Sequence, residues 1–400
     1  MRILYHHRTA SKDGQAVHIE EMVQALRELG HEVMVVGPTA GGSDADGDMG
    51  AEMGWVKRLR DALPKAAYEL LELGYSAVAY RRLAVAARVF KPDVLYERYN
   101  LYLLAGTLLR WRLGIPMLLE VNAPLVDERG RFGGLGLPRL ANWAEGRAWR
   151  SADVVLPVTG VLGGHIGARG VPAHRIVVIP NGINEAHFAA APLTAEAKRQ
   201  IGWSGALVLG FTGFVRDWHG VDRVLRWMAT SNAPDQARLL MVGDGPARPA
   251  LEQLAHELNL GDRVRFTGVI GREQVPAHVA AFDIALQPAV VPYASPLKLF
   301  EYLALGKAIV APNQPNLAEI LRDGDNAVLF EADQPGALES ALDRLCADTA
   351  LRARLAAGAL STISRQGLTW RHNAQRVVAL AQALQAGGDL TSPRTPGMAR

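Results

Sequence analysis

Along this chain, short apolar runs alternate with longer stretches whose apolar residues return every three or four positions. An unbroken or alternating apolar run of about 4–8 residues marks a strand, and a period near 3.6 marks a helix packed on one face. Arg2–His6 reads as a first strand, Gly14 falls in the loop after it, and a helix is predicted from about 18 to 29. Gly30-His31 ends that helix, and 32–37 is a second strand. Further strand runs stand at 93–97, Met117–Val121, 154–158 and 176–179, separated by helical patterns of about 10–20 residues. After the turn Pro180-Asn181-Gly182 the alternation weakens over 186–206. It resumes at 207–211, 238–242, 264–267, 284–287, 308–311 and Ala327–Phe330. Strand and helix in regular alternation predict parallel sheets covered by helices, here in two doubly wound α/β halves.

Length agrees with two halves, because 400 residues exceed one ordinary core. The pattern divides the chain into a first domain over 1–185, a linker over 186–206 and a second domain from 207. Residues 387–400 mix Gly, Ser, Pro and Thr and are expected to be a disordered tail.

Composition changes little in this picture. The chain is 49% hydrophobic and 21% charged, with 43 basic against 40 acidic side chains. A formal charge of +3 gives no reason to invoke nucleic acid. The single cysteine, Cys346, excludes an internal disulfide and a cysteine-rich zinc site. The start MRILYHH lacks the apolar core of a signal peptide, and no apolar run reaches membrane-spanning length. A cytoplasmic protein is expected. Residues 55–73 add one qualification: Trp55, Val56, Leu59, Leu63, Ala66, Leu70 and Leu71 recur at helical spacing beside Lys57, Arg58, Arg60 and Lys65. Such a basic amphipathic helix either docks on an anionic membrane from the inner face or packs on its own domain.

Candidate chemistry gathers in the second half. Gly213, Arg216, His219 and Gly220 sit between a strand and a helix, where a glycine lets backbone approach a ligand and a helix start attracts phosphate. Gly243 and Gly245 follow the next strand, and Gly268, Val269 and Ile270 the one after. Three loops at carboxyl ends of strands converge on one edge, where ligands bind in open α/β sheets. In SPLKLFE, Ser295 suits an N-cap and Pro296 the first helical position. Lys298 and Glu301 share a face. Lys298 beside a helix start suits a diphosphate, and a carboxylate one turn on suits two ribose hydroxyls. The plain alternative is a surface ion pair of about 0.3–0.5 kcal/mol. His6 and His7 lack the carboxylate cluster of a metal site and are read as buried or loop histidines. Arg129 and Arg131, beside the glycine-rich run 130–136, either cover an anionic acceptor on a mobile loop or are solvated charges.

Taken together, Phe211-Thr212-Gly213 with His219-Gly220, Val242-Gly243-Asp244-Gly245-Pro246, Val264–Gly268 and Ser295–Glu301 with Gly306-Lys307 resemble the donor domain of glycosyltransferase family 4. Gly30-His31-Glu32-Val33 and Ile179-Pro180-Asn181-Gly182 resemble its first domain. The resemblance implies the GT-B architecture: two facing Rossmann-like domains, an interdomain cleft, a donor domain over 207–366 and a terminal helix over 367–386 that crosses back to the first domain. It also implies retaining transfer of a sugar from a nucleotide diphosphate, with no cofactor and no metal. By position, Glu301 would hold the ribose, the amides near Leu297, with Ser295 and Pro296 before it, the diphosphate, and Val269-Ile270 the base. Gly213, His219, Gly243 and Gly245 complete the donor set.

Four positions depart from the family. Tyr293 stands where the first glutamate of a pair belongs, Phe214 and His219 replace the basic clamp on the diphosphate, and Asn122 replaces a histidine facing the donor sugar. Arg216 and Lys298 are taken to supply the missing charge, and Asn122 to hydrogen-bond a sugar. These three form the catalytic set. Gly14, His18 and Arg98 are the acceptor candidates, for a glycan, lipid-linked or small-molecule acceptor in polysaccharide or cell-envelope synthesis. Two other readings stay open: a non-hydrolysing nucleotide-sugar epimerase, and a nucleotide-sugar binding protein without catalysis. A nicotinamide oxidoreductase is disfavoured, since His6-His7-Arg8 replaces the glycine fingerprint after the first strand.

Overall fold

The computed structural model describes residues 1–9, 14–38, 62–230 and 232–387. The chain forms two compact units. One holds Met1–Pro180, Tyr293–Ser295 and the chain from Trp370; the other holds Asn181–Pro292 and Pro296–Thr369.

The first unit is built on five parallel strands: β1 (Arg2–His6), β2 (Glu32–Val36), β3 (Val94–Arg98), β4 (Met117–Val121) and β5 (Val154–Pro157), in the order β2-β1-β3-β4-β5. Strands β3 and β4 are buried along their whole length, as a sheet covered on both faces requires. A core of Leu4, Leu95, Leu119, Val155, Leu162 and Trp149 packs against them. The order reverses at β1 and β3, so a crevice is expected outside the carboxyl ends of those strands. Register sets its polar contents: His6 stands opposite Glu97 and Arg98 opposite Glu120.

Residues 176–179 do not form the strand expected of them. Val177 and Ile179 donate to Val155 and Pro157, but only Ile176 makes a bridge, and Pro180 has no N–H to continue a ladder. The helix expected over 55–73 also differs. Residues 39–61 lie outside the described part, and the described helix is Lys65–Phe90. Its buried face carries Glu69, Glu72 and Ser76, while Leu70 and Leu71 are about half exposed at 54% and 52%. The carboxylates are inside because they have partners: Glu69 accepts from Gly136 N, Leu137 N and Tyr102 Oη, and Glu72 from Arg129. Arg129 is therefore neither a loop cation nor a solvated one. It lies in the helix Leu125–Phe132 and is forked onto Glu72.

The second unit has six parallel strands: β6 (Leu207–Thr212), β7 (Ala237–Val242), β8 (Val264–Phe266), β9 (Ile284–Leu286), β10 (Ala308–Pro312) and β11 (Ala327–Phe330), in the order β11-β10-β9-β6-β7-β8. The reversal here is at β6 and β9. Residues 186–206, expected as a connection, carry the end of the helix Glu185–Ala189 and the helix Thr194–Gln200. Both belong to this unit: Lys198 Nζ bonds Asp283 and Ala206 O, and buried Lys307 Nζ bonds Thr194 Oγ1 and Ala280 O. The helix Trp370–Gln385 belongs to the first unit and packs on the helix Gly14–Glu28. The expected tail from 388 onward lies outside the described residues.

Candidate active site

In the second unit the loop after β6 and the start of the helix Leu297–Ala304 meet. Gly213, at φ 110°, leaves room for Lys298, whose Cε would lie 3.5 Å from a Cβ at that position. Lys298 Nζ sits 3.8 Å from the centroid of the Phe211 ring, a cation on an aromatic face. Glu301 follows one turn later. Both side chains are half-buried and no direct ion pair joins them, which removes the surface-pair reading. Burial pushes the Lys298 ammonium down to about 7, with Glu301 opposing. Burial pushes the Glu301 carboxyl up to about 7, with Lys298 and Arg272 opposing. The site is thus poised near neutrality, with a cation that gains most from an anionic partner.

The helix start differs from expectation. Pro296 is the N-cap residue in extended conformation, no side chain caps the helix, and Ser295 precedes it in the segment held by the first unit. Pro296 itself has no side-chain acceptor to offer the first helical amides.

Gly243 and Gly245 serve a different purpose from the one expected. At φ 120° and 153°, their missing Cβ atoms would collide with Gly213 O and Val215 O. The two loops are laced together by Gly213 N to Val242 O and Val215 N to Asp244 O, each 2.8 Å. These glycines shape the loop that presents Gly213; the space beside their α-carbons is filled by backbone. His219 is not a positive group. It is buried, its Nδ1 accepts from Arg216 N at 2.9 Å, and burial with Lys298 nearby holds it neutral far below the usual histidine range. Arg216 is exposed, its guanidinium over the Phe214 ring at 5.1 Å. Val269 is exposed after Gly268, which is at φ 69°.

The first unit assembles a second cluster around Glu120, a residue not singled out from sequence. Glu120 Oε2 lies 2.8 Å from His18 Nε2 and accepts from Tyr96 Oη at 2.7 Å. Its Oε1 accepts from Arg98 and, at 2.5 Å, from Asn122 Nδ2. Burial opposes its charge, yet His18, Arg98 and the hydrogen bonds hold the carboxyl well below the usual range. The candidates His18, Arg98 and Asn122 therefore share one carboxylate. Gly14 begins the helix that carries His18, one turn before it. His6 Nδ1 meets Glu97 Oε2 at 2.5 Å, and a Cβ on Gly106 would strike that carboxylate, so the helix Ala105–Leu113 abuts it closely. His7 is partly buried and held low by burial and by His6, down to about 4. Trp370 packs edge-on to His18 with centroids 4.7 Å apart. Tyr293, where the resemblance expects a glutamate, hydrogen-bonds Glu128 by its hydroxyl, and its carbonyl accepts from Thr159 Oγ1 at 3.0 Å. A signal for the missed pair does exist. Glu97 and Glu120 each stand inside an otherwise apolar strand, in VLYER and MLLEV, and an acid there demands partners.

Residues 206–348 match the family described as "Glycosyl transferases group 1", and residues 13–182 match the "Glycosyl transferase 4-like domain". The chain is 29% identical over 252 residues to a 2-deoxystreptamine N-acetyl-D-glucosaminyltransferase of Streptomyces fradiae, covering 58% of this chain and 59% of that one. It is 26% identical over 333 residues to a D-inositol 3-phosphate glycosyltransferase of a Nocardioides species, covering 77% and 71%. The first of these matches thus spans less than two thirds of the relative's length. In fold, it superposes on Anabaena HepE, solved with UDP-glucose, with a TM-score of 0.73 at 20% identity over 96% of this chain and 100% of that one.

Proposed function

The chain belongs to the group 1, family 4 glycosyltransferases of the GT-B type, and from that premise we propose that it is a retaining enzyme. It moves a sugar from a nucleotide diphosphate to a glycan, lipid-linked or small-molecule acceptor. The observation that carries this reading is the pairing of Lys298 with the uncapped helix start and Gly213, with Glu301 one turn further. Anions are favoured at such a helix start, and a half-buried ammonium adds a point charge. The diphosphate sits there, Glu301 takes the ribose hydroxyls, and the backbone at Val269 and Ile270 takes the base. Lys298 and Arg216 stabilise charge on the departing diphosphate. That diphosphate also takes the acceptor proton, so attack occurs on the face it leaves and no bound metal is needed.

The acceptor is assigned to the first unit, at Gly14, His18, Arg98 and Asn122. The named substrates of the relatives, 2-deoxystreptamine and D-inositol 3-phosphate, support a polyhydroxylated acceptor and belong in the test. Polysaccharide or cell-envelope synthesis and a cytoplasmic location, at the inner membrane face, complete the reading. No described helix is long and apolar enough to cross a membrane.

The test is incubation with UDP-, GDP- and ADP-sugars and an acceptor panel, with and without EDTA. Released nucleoside diphosphate plus a glycoside of unchanged anomeric configuration, insensitive to EDTA, is expected. A changed nucleotide sugar without release would instead mean epimerisation, and binding without turnover a binding protein.

A further inference from the structure

Strand β6 pairs with β7 from Leu207 to Thr212, whereas its register with β9 covers Leu209 and Gly210. The two strands part where the strand order reverses. A buried amide past the end of a ladder needs another acceptor. Here that acceptor is a side chain. Thr212 N donates to Tyr302 Oη at 3.0 Å, and the same hydroxyl has Leu286 O, at the end of β9, 3.4 Å away as its own acceptor. Tyr302 is fully buried, and burial holds the phenol well above its ordinary range, so it stays protonated and serves both partners. Its ring stands edge-on to Phe282 with centroids 6.1 Å apart, and Phe282 lies so close to Gly210 that a Cβ there would be 2.1 Å from the ring. The phenol is a wedge between the ends of β6 and β9.

Tyr302 follows Lys298 by four residues on the helix Leu297–Ala304, and side chains at that spacing share a face. That face meets three consecutive residues at the end of β6. Lys298 Nζ lies on the Phe211 ring, Tyr302 Oη takes the Thr212 amide, and Lys298 Cε lies against the open side of Gly213. Among the described residues no hydrogen bond fixes the Lys298 ammonium, so its place follows that of the helix.

We propose that Tyr302 is a positioning residue of the donor site: its hydroxyl, wedged where β6 and β9 part, pins the helix that carries Lys298 to the strand end that presents Gly213. For the identity of its ligand this rests on the transferase reading. A phenol that only stabilised the fold would affect binding equally whatever residue stood at 298.

A double-mutant cycle separates the two roles. UDP, GDP and ADP are offered to the wild type, and the tightest binder is the probe. Tyr302→Phe removes one oxygen and leaves the Thr212 amide without its acceptor, so affinity for the probe, measured by calorimetry on folded protein, is expected to fall roughly fivefold or more. On a Lys298→Met background the same change is expected to cost no more than about twofold, because the side chain being placed is gone. Where Tyr302→Phe does not fold, an ester in place of the Thr212 amide deletes the donor of the same hydrogen bond and goes through the same cycle.

Unchanged affinity in Tyr302→Phe overturns the proposal. So does an equal loss on the wild-type and Lys298→Met backgrounds, which is what stability alone would give. A wild type that binds none of the three diphosphates counts against the transferase reading and takes the proposal's ligand with it; that result is distinct because it needs no variant.

Discussion

Lys298 and Glu301 show how one residue pair sets a pH profile. The lysine is lowered to about 7, so its contribution to stability is present above its unfolded value near 10.5 and is lost as pH falls to about 7. The glutamate is raised to about 7, so its contribution is present below about 4.5 and is lost as pH rises to about 7. Both signs make the unliganded second unit least stable near neutral pH. Lys298→Met and Glu301→Gln should each raise the melting temperature at pH 7 while weakening nucleotide binding, by about 2–4 °C for each kcal/mol recovered. A lowered melting temperature in both would show that the pair stabilises the free protein. In Glu301→Gln, where Lys298 loses the carboxylate that opposes its lowering, UDP affinity measured by calorimetry should fall with rising pH from below pH 7 onward, by up to about tenfold per pH unit, as Lys298 loses its proton. Lys298→Met on the same background should abolish that slope.

At the scale of elements, the loops after β6 and β7 act as one piece because two glycines let backbone touch backbone. Gly245→Ala would drive a methyl into Val215 O at a φ that L residues rarely adopt. A loss of roughly 2–4 kcal/mol is expected, as for a strained backbone with a collision. Hydrogen exchange in the helix Val221–Met228 would report it. The buried carboxylate of Glu69 plays a comparable part in the first unit, tying the helix Lys65–Phe90 to Gly136, Leu137 and Tyr102. Glu69→Ala leaves two amides and a hydroxyl without it and should cost about 2–4 kcal/mol. Thermal unfolding followed by peptides from 65–90 and 138–151 would check this, with the second unit as internal control.

On the scale of the whole molecule, the first unit is made from segments far apart in sequence. Its last helix, Trp370–Gln385, rests on the helix that bears His18, and Asn373 and Arg376 bond Pro180 O and Val178 O. Ending the chain at Thr369 should therefore loosen the first unit and spare the second. Exchange protection should drop in Gly14–Glu28 and stay in β6 and β7. Equal loss in both units would contradict this division. Trp370→Ala is expected to act more narrowly, raising the acceptor KM through His18 with little change in UDP affinity.

The alternation of strand and helix, the two parallel sheets and the run of glycines after β6 and β7 were legible along the chain, because these depend on periodicity and on local backbone demands. Lys298 and Glu301 were legible too, since a helical spacing brings them together without help from the rest of the chain. The letters could not say that Gly243 and Gly245 face backbone, that Pro296 rather than Ser295 opens the helix, or that His219 is neutral. Those depend on what lies across from each residue. Glu120 is the clearest case. As a letter in MLLEV it is an acid in an apolar strand, and only the register that sets it beside Arg98, with the helix that brings His18, makes it the centre of a buried polar cluster. That outcome came from the folded arrangement, because burial and charge pairing are properties of neighbours in space, and a sequence records neighbours only along the chain.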